Sequence, residues 1–185
     1  VAVKTHFDPA ERPYTKLFDH FALKEFGILG DAIVAFAGPC DVRSDNLVDL
    51  ADERAGATIV AARMLHFVVE HFSLALAEAV WRQRVLAAIV MEELLKRAPQ
   101  ALLRREGDDL YVGDAKLTVS IATAAPTSAL IHFGVNVDGA GAPVKVFDLQ
   151  RLNVDAEELA KAVMSRYVDE VESFVEALSK VRGLC

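Results

Sequence analysis

The spacing of apolar and polar positions divides the chain into strands, turns and two long helices. Residues 31–37 (DAIVAFA) form a β-branched and aromatic run that predicts a strand, with Gly38-Pro39 as the turn signal that ends it. The first 20 residues contain Pro9 and Pro13 and read as a lead-in with room for one short strand. The polar stretch 41–56 reads as a long connection with a helical turn near residues 47–52. Residues 65–72 (LHFVVEHF) fit a strand with Leu65, Phe67 and Val69 on one face and His66, Val68 and Glu70 on the other. A helix continuing from Ala57 is the alternative, and the Phe-Val-Val centre favours the strand.

Ser73 is placed to cap a helix that runs to about Arg97, before Pro99. Leu74, Ala77, Trp81, Val85 and Ile89 recur at helical spacing and predict its buried face. A hairpin follows, with residues 109–112 and 116–122 flanking Gly113-Asp114. In its second strand Leu117, Val119 and Ile121 share one face, while Lys116, Thr118, Ser120 and Ala122 share the other. Residues 129–137 (ALIHFGVNV) predict a further strand with Ile131, Phe133, Val135 and Val137 facing the core. Leu130, His132, Gly134 and Asn136 point the opposite way. A helix over residues 156–181 closes the chain, started by a capping-box arrangement of Asp155 and Glu158 and striped by Leu159, Val163, Val171, Phe174 and Leu178. Strands outnumber helices and a hairpin is present, so the expected class is α+β.

Composition narrows the function classes more than the fold. The 185 residues are 53% hydrophobic with a net charge of −7, which fits one soluble domain over residues 1–185 and excludes a disordered chain. The acidic balance argues against nucleic acid, which demands a basic stripe, while leaving room for a local phosphate pocket. No apolar run is long enough to span a membrane and no signal-peptide block stands at the start, so the expected location is cytoplasmic, with no membrane partner. Cys40 and Cys185 form neither a disulfide framework nor a metal-ligand spacing. An edge strand or an apolar helix face would support a homodimer.

Candidate chemistry centres on the hairpin. Lys116 lies on the polar face of its strand, where a compact ammonium suits a phosphate or carboxylate. Thr118 and Ser120 share that face, and His132 and Asn136 stand on the polar face of the next strand. Gly134 between them leaves space for close backbone approach. If the two strands are neighbours, these residues converge; the same pattern also describes an ordinary solvated sheet face. Asp108 and Asp109 form a carboxylate pair suited to Mg2+ beside phosphates, or to turn chemistry after Gly107. Cys40, in a strand-to-turn position, is either a thiol nucleophile activated by a histidine or a buried apolar residue. The trio His66, Glu70 and His71 departs from zinc-site spacing, and no metal site is expected there.

Residues 107–117 (GDDLYVGDAKL) resemble the Asn-Asp-Leu-Tyr…Lys-Leu motif of biotin and lipoate protein ligases, with the same interval from Asp to Lys. Residues 134–137 (GVNV) resemble the Gly-Ile-Asn-Val strand of the biotin ligases, and His132 matches a histidine of the lipoate branch. More narrowly, GPCDV (38–42), MLHF (64–67) and DDLYV…KL…SIAT…HFGVNV resemble an uncharacterised domain family within that superfamily. The resemblance implies a mixed, largely antiparallel sheet flanked by helices, a small-molecule or nucleotide-like ligand, and ATP with Mg2+ as cofactors. It implies that Lys116 contacts the carboxyl and phosphate of an acyl-adenylate, that Asp108 and Asp109 lie at the nucleotide site, and that Asn136 shapes the pocket. Asp109 would support Mg2+ or orient Lys116.

Two departures stand out. The ligases carry an Arg-rich, triple-glycine loop whose amides cover phosphate groups, whereas residues 54–66 here contain only Gly56, with Arg63 as the candidate cation and His66 beside it. The motif's Asn is Asp108, which adds negative charge. The expected activity is therefore an acyl ligase or acyltransferase, with a non-catalytic small-molecule-binding or assembly protein of the same fold as the alternative.

Overall fold

The computed structural model describes residues 2–183, so Cys185 lies outside the described residues. Its centre is a five-stranded sheet in the order β1-β2-β3-β8-β7, built from β1 (Lys4–Asp8), β2 (Ala32–Val42), β3 (Ile59–Phe72), β8 (Ser128–Asp138) and β7 (Thr118–Ala124). β1 runs parallel to β2, and the other neighbours are antiparallel. A small three-stranded sheet holds β4 (Leu103–Glu106), β5 (Asp109–Val112) and β6 (Ala115–Lys116). The helices are α1 (Phe21–Phe26), α2 (Leu50–Arg54), α3 (Leu76–Arg97), α4 (Leu149–Leu152) and α5 (Ala156–Ser179). This is the expected α+β arrangement, a mixed and largely antiparallel sheet flanked by helices.

The strands β3 and β8 are buried on both faces, which explains their nearly continuous apolar character. Leu65, Phe67, Val69, Ile131, Phe133 and Val135 pack under α3 and α5 in the main core. Met64, Val68 and Leu130 face the other way, into a second core with Phe36, Phe21 and Tyr14. The predicted division of β3 and β8 into two faces is thus observed.

Three expectations are corrected. β2 does not stop at Gly38-Pro39: a bulge between Gly38 and Cys40 carries it on to Val42. The segment around Tyr14 pairs with this extension, Arg12 donating to the Ala37 carbonyl and Tyr14 to the Pro39 carbonyl, each at 2.9 Å. Gly38 is required there, since a Cβ would lie 1.9 Å from the Arg12 carbonyl oxygen. Ser73 does not cap α3: it sits at φ 60° and Ala75 occupies the N-cap. The buried face of that helix centres on Ala79, Gln83, Leu86, Val90 and Leu94; of the predicted stripe Ile89 is buried, whereas Trp81 is 71% exposed. Gln83 interrupts the apolar signal of this stripe, which is why the neighbouring face reads as the core. At the C-terminal end of α5, Phe174 and Leu178 are likewise exposed.

The third correction bears on the site. The second hairpin strand is split, with Lys116 paired to Tyr111 in the small sheet and Thr118 to Val135 in the large one. Leu117 and Thr118 are both fully buried, so alternation is lost where the chain steps between sheets. Thr118 and Ser120 then share the helix-side face with Val135 and Phe133, while Val119 and Ile121 share the face of Gly134 and His132. No helix among the described residues is long and apolar enough to cross a membrane.

Candidate functional site

A cavity of about 390 Å3 opens on the face of the sheet opposite α3 and α5, within the size range of small-molecule sites. Tyr14, Met64, Val119, Ile121 and His132 line it from the sheet side. The loop after β2, with Asn46, Asp49 and Asp52, and the segment containing Pro143, Val144 and Val146 supply the walls. Asp108, Asp109, Lys116, Ser120 and Asn136 complete the lining. Among the described residues that line it, Lys116 is the one cation.

Lys116 reaches the cavity because the step between the two sheets frees its side chain from the strand alternation. Its Nζ lies 2.8 Å from Asp109 Oδ2, with both side chains partly exposed. Burial raises the Asp109 pKa, and the bond to Lys116 opposes that rise. Asp108 pairs with Arg84, and Gln83 Nε2 donates to its Oδ2 at 2.7 Å. The extra acid of the motif is therefore neutralised from α3. Asn136 Nδ2 donates to the Lys116 and Phe147 carbonyls, each at 3.3 Å, and so anchors the backbone that carries the lysine.

The sheet-side wall is aromatic and polar together. His66 Nδ1 and His132 Nε2 are 3.1 Å apart, and both residues are buried. Tyr14 stacks on His132 with ring centroids 4.0 Å apart and planes 11° from parallel. Phe36 packs on His66 at 5.0 Å. Burial holds the His66 pKa at about 3 and His132 well below its ordinary value, so both rings are neutral.

The structure gathers Lys116, Asp108, Asp109, Ser120, His132 and Asn136 at one cavity. Ser120 reaches its edge with its hydroxyl already engaged, accepting from Gln83 and donating to the His132 carbonyl. The remaining candidates stand apart. Thr118 is fully buried, its hydroxyl accepting from the Leu110 amide. Arg63 pairs with Glu11 at 2.6 Å, away from the lining. His66 supports His132 from behind. The space left by Gly134 is filled by Met64, whose sulfur would be 2.2 Å from a Cβ there. Cys40 is 1% exposed, lies outside the lining, and burial pushes its thiol up to about 12. Its sulfur contacts the Ile59 carbonyl at 3.9 Å and hydrogen-bonds no histidine, so nothing there generates a thiolate.

Sequence reasoning missed Tyr14, Arg84 and Gln83. Gln83 alone left a signal: a polar residue inside the stripe that faces the sheet. His71 also belongs elsewhere than with His66: it faces the main core, bonded to Asp31 at 2.9 Å and to the Tyr167 hydroxyl at 2.8 Å.

The carboxylates that the resemblance places at a nucleotide site do not fit Mg2+ as they stand, because Asp108 and Asp109 are each committed to a cation. Among the described residues no group of three or more acidic, histidine or cysteine side chains could hold a metal ion.

Comparison with known proteins places this geometry. The chain is 35% identical over 171 residues to an uncharacterised protein of Methanocaldococcus jannaschii, covering 89% of this chain and 76% of that one. A protein of unknown function from Pyrococcus horikoshi superposes with a TM-score of 0.93 at 32% identity over the whole of both chains. The biotin protein ligase of Aquifex aeolicus, as a point mutant in complex with biotin, gives a TM-score of 0.62 at 15% identity, covering 94% of this chain and 72% of that one. A putative lipoate protein ligase of T. acidophilum with bound lipoic acid gives 0.57 at 13% identity, covering 93% and 86%. These last two likenesses establish a shared fold. A family model described as domain of unknown function (DUF366) matches residues 4–182, so the chain belongs to that family, on the fold of the biotin and lipoate protein ligases.

Proposed function

We propose that the cavity binds a small organic acid or its acyl derivative, with the carboxyl group at Lys116, and that the protein acts on it as an acyl ligase or acyltransferase. One observation carries this reading: among the described residues Lys116 is the single cation on a lining of apolar, aromatic and neutral polar side chains, whose acids Asp108 and Asp109 are ion-paired. An acid with an apolar body satisfies both parts of such a lining. The fold neighbours bind biotin and lipoic acid, which are acids of this type. Lys116 would hold the carboxyl oxygen and stabilise charge that develops on it, with Asp109 orienting the ammonium. Activation by ATP and Mg2+ belongs to the ligase form of this proposal alone, and there Asp108 and Asp109 would have to leave Arg84 and Lys116 to hold the metal.

A second reading keeps the pocket and omits catalysis. Commitment of both aspartates to cations favours it. Isothermal titration of biotin, lipoate, octanoate and the amino acids, with and without MgATP, tests the binding. At least one acid is expected to bind saturably, and Lys116→Ala should weaken it about 10- to 100-fold, the value of a charge-assisted hydrogen bond. Pyrophosphate exchange abolished in that variant supports the ligase; binding without exchange supports the second reading. No binding by any acid overturns both.

A further inference from the structure

The buried histidine pair has a direction, and that direction fixes what the cavity wall offers a ligand. A neutral imidazole carries one N–H and one bare nitrogen, so the 3.1 Å contact between His66 Nδ1 and His132 Nε2 couples the two tautomers. Were Nδ1 of His66 protonated, its Nε2 would be a bare acceptor in a fully buried position. The Gly38 backbone favours a proton on this ring, as a carbonyl acceptor does and an amide does not. It lies across β2, on the side of His66 away from His132, and Nε2 meets no partner at hydrogen-bond geometry among the described residues. An N–H aimed at a carbonyl is favourable there, and a lone pair aimed at a lone pair is not. His66 therefore carries its hydrogen on Nε2, its Nδ1 accepts, and His132 Nε2 donates to it.

His132 Nδ1 is then bare. The residue lines the cavity and is only 3% exposed, and this nitrogen makes no hydrogen bond to the protein. The Tyr14 stack holds the ring plane and the Nε2 contact with His66 opposes a flip within that plane, so the nitrogen keeps its direction. An acceptor that keeps some access on a ring otherwise buried, with no protein partner among the described residues, favours a ligand that brings a donor.

We propose that His132 Nδ1 is a fixed hydrogen-bond acceptor that makes the cavity select acids carrying an N–H or O–H donor on their body over acids with a bare hydrocarbon chain. His66 is the positioning residue that sets the tautomer. This selectivity rests on the small-acid reading above, whereas the acceptor assignment does not.

Two measurements on the full chain separate them. Long-range 15N–1H correlation of the imidazoles should show His132 as the Nε2–H tautomer; an Nδ1–H tautomer overturns the proposal whether or not acids bind. Calorimetry then compares octanoate with singly hydroxylated octanoates. One isomer should bind about tenfold more tightly than octanoate, the worth of one well-placed hydrogen bond, and His132→Leu should remove the preference. Octanoate bound as tightly as every hydroxylated isomer, or a preference kept in the variant, overturns the selectivity while the small-acid reading stands. Failure of octanoate, its hydroxylated isomers, biotin, lipoate and the amino acids alike overturns the reading and the selectivity together, leaving the tautomer result to decide the acceptor.

Discussion

Mild acid should destabilise this protein through its buried histidines before its ion-paired carboxylates respond. In the unfolded chain His66 titrates near its ordinary value of 6.5, and in the fold burial holds it at about 3. A depressed folded pKa means that the unfolded chain accepts a proton which the fold refuses. The stabilisation is complete above 6.5 and is lost progressively as pH falls towards 3. Within that window one such residue costs about 1.4 kcal/mol per pH unit, which amounts to about 2 kcal/mol between pH 7 and pH 5. His132 shifts in the same direction through burial and the neighbouring His66, and His71 through burial against the opposing bond to Asp31. The three together should exceed the single-residue figure, a large share of the roughly 5–15 kcal/mol available to a small protein. Urea unfolding at pH 7, 6 and 5 measures the loss directly. The double variant His66→Phe, His132→Phe should show a shallower pH dependence than the wild type. A wild-type stability that changes by less than about 0.5 kcal/mol over this range, or a His66 imidazole that titrates near 6.5 in the folded state, refutes the reasoning.

Other consequences are narrower. Gly38→Ala drives a methyl group into the Arg12 backbone and should cost about 1–3 kcal/mol while releasing Tyr14, read as a lower unfolding midpoint and an altered near-ultraviolet circular dichroism signal. Arg84→Ala leaves Asp108 with Gln83 alone and should weaken a bound acid about fivefold, with recovery in Arg84→Ala, Asp108→Asn; calorimetry measures both. Tyr167→Phe withdraws the hydroxyl from buried His71 and should cost about 1–2 kcal/mol in urea unfolding without changing acid binding.

The legible parts of the fold are those where local pattern and tertiary environment agree. β3 and β8 announce their two faces because each face meets a different core, and Asp155 starts α5 by accepting from the Glu158 amide at 2.8 Å. α3 misleads for the opposite reason. Its exposed side carries Trp81 and Val85, and its sheet side carries a glutamine whose partners, Asp108 and Ser120, lie 25 and 37 residues away. The hairpin strand reads as continuous because nothing local marks the transfer between sheets at Leu117. That one break moves Thr118 and Ser120 off the cavity face and brings Val119 and Ile121 onto it. His132 and Asn136 were legible as a pair because alternation along β8 puts them on one face, whereas Lys116 was legible from the motif it shares with the ligases and not from its strand face. Tyr14 was not, since only its pairing with the bulged half of β2 carries it to the histidines.

The charges around the cavity explain how an acidic chain could still hold an acid. Asp49 caps α2, accepting from Ala51 and Asp52 amides. Asp108 answers to Arg84 and Gln83, and Asp109 to Lys116. These three carboxylates are each matched by a donor before any ligand arrives, which leaves Asp52, among the described residues, as the lining acid without one, so the lining is less repulsive than its composition suggests. The same matching limits what can bind. An incoming carboxylate must share Lys116 with Asp109, and Arg63, the cation expected from the missing glycine loop, is turned to Glu11 instead. A singly charged head group can share one ammonium; a polyphosphate would ask this lining for several cations. On the proposed reading, recognition of the ligand's body rests on shape and on the His132 wall, where the buried histidine pair keeps its polarity without carrying charge.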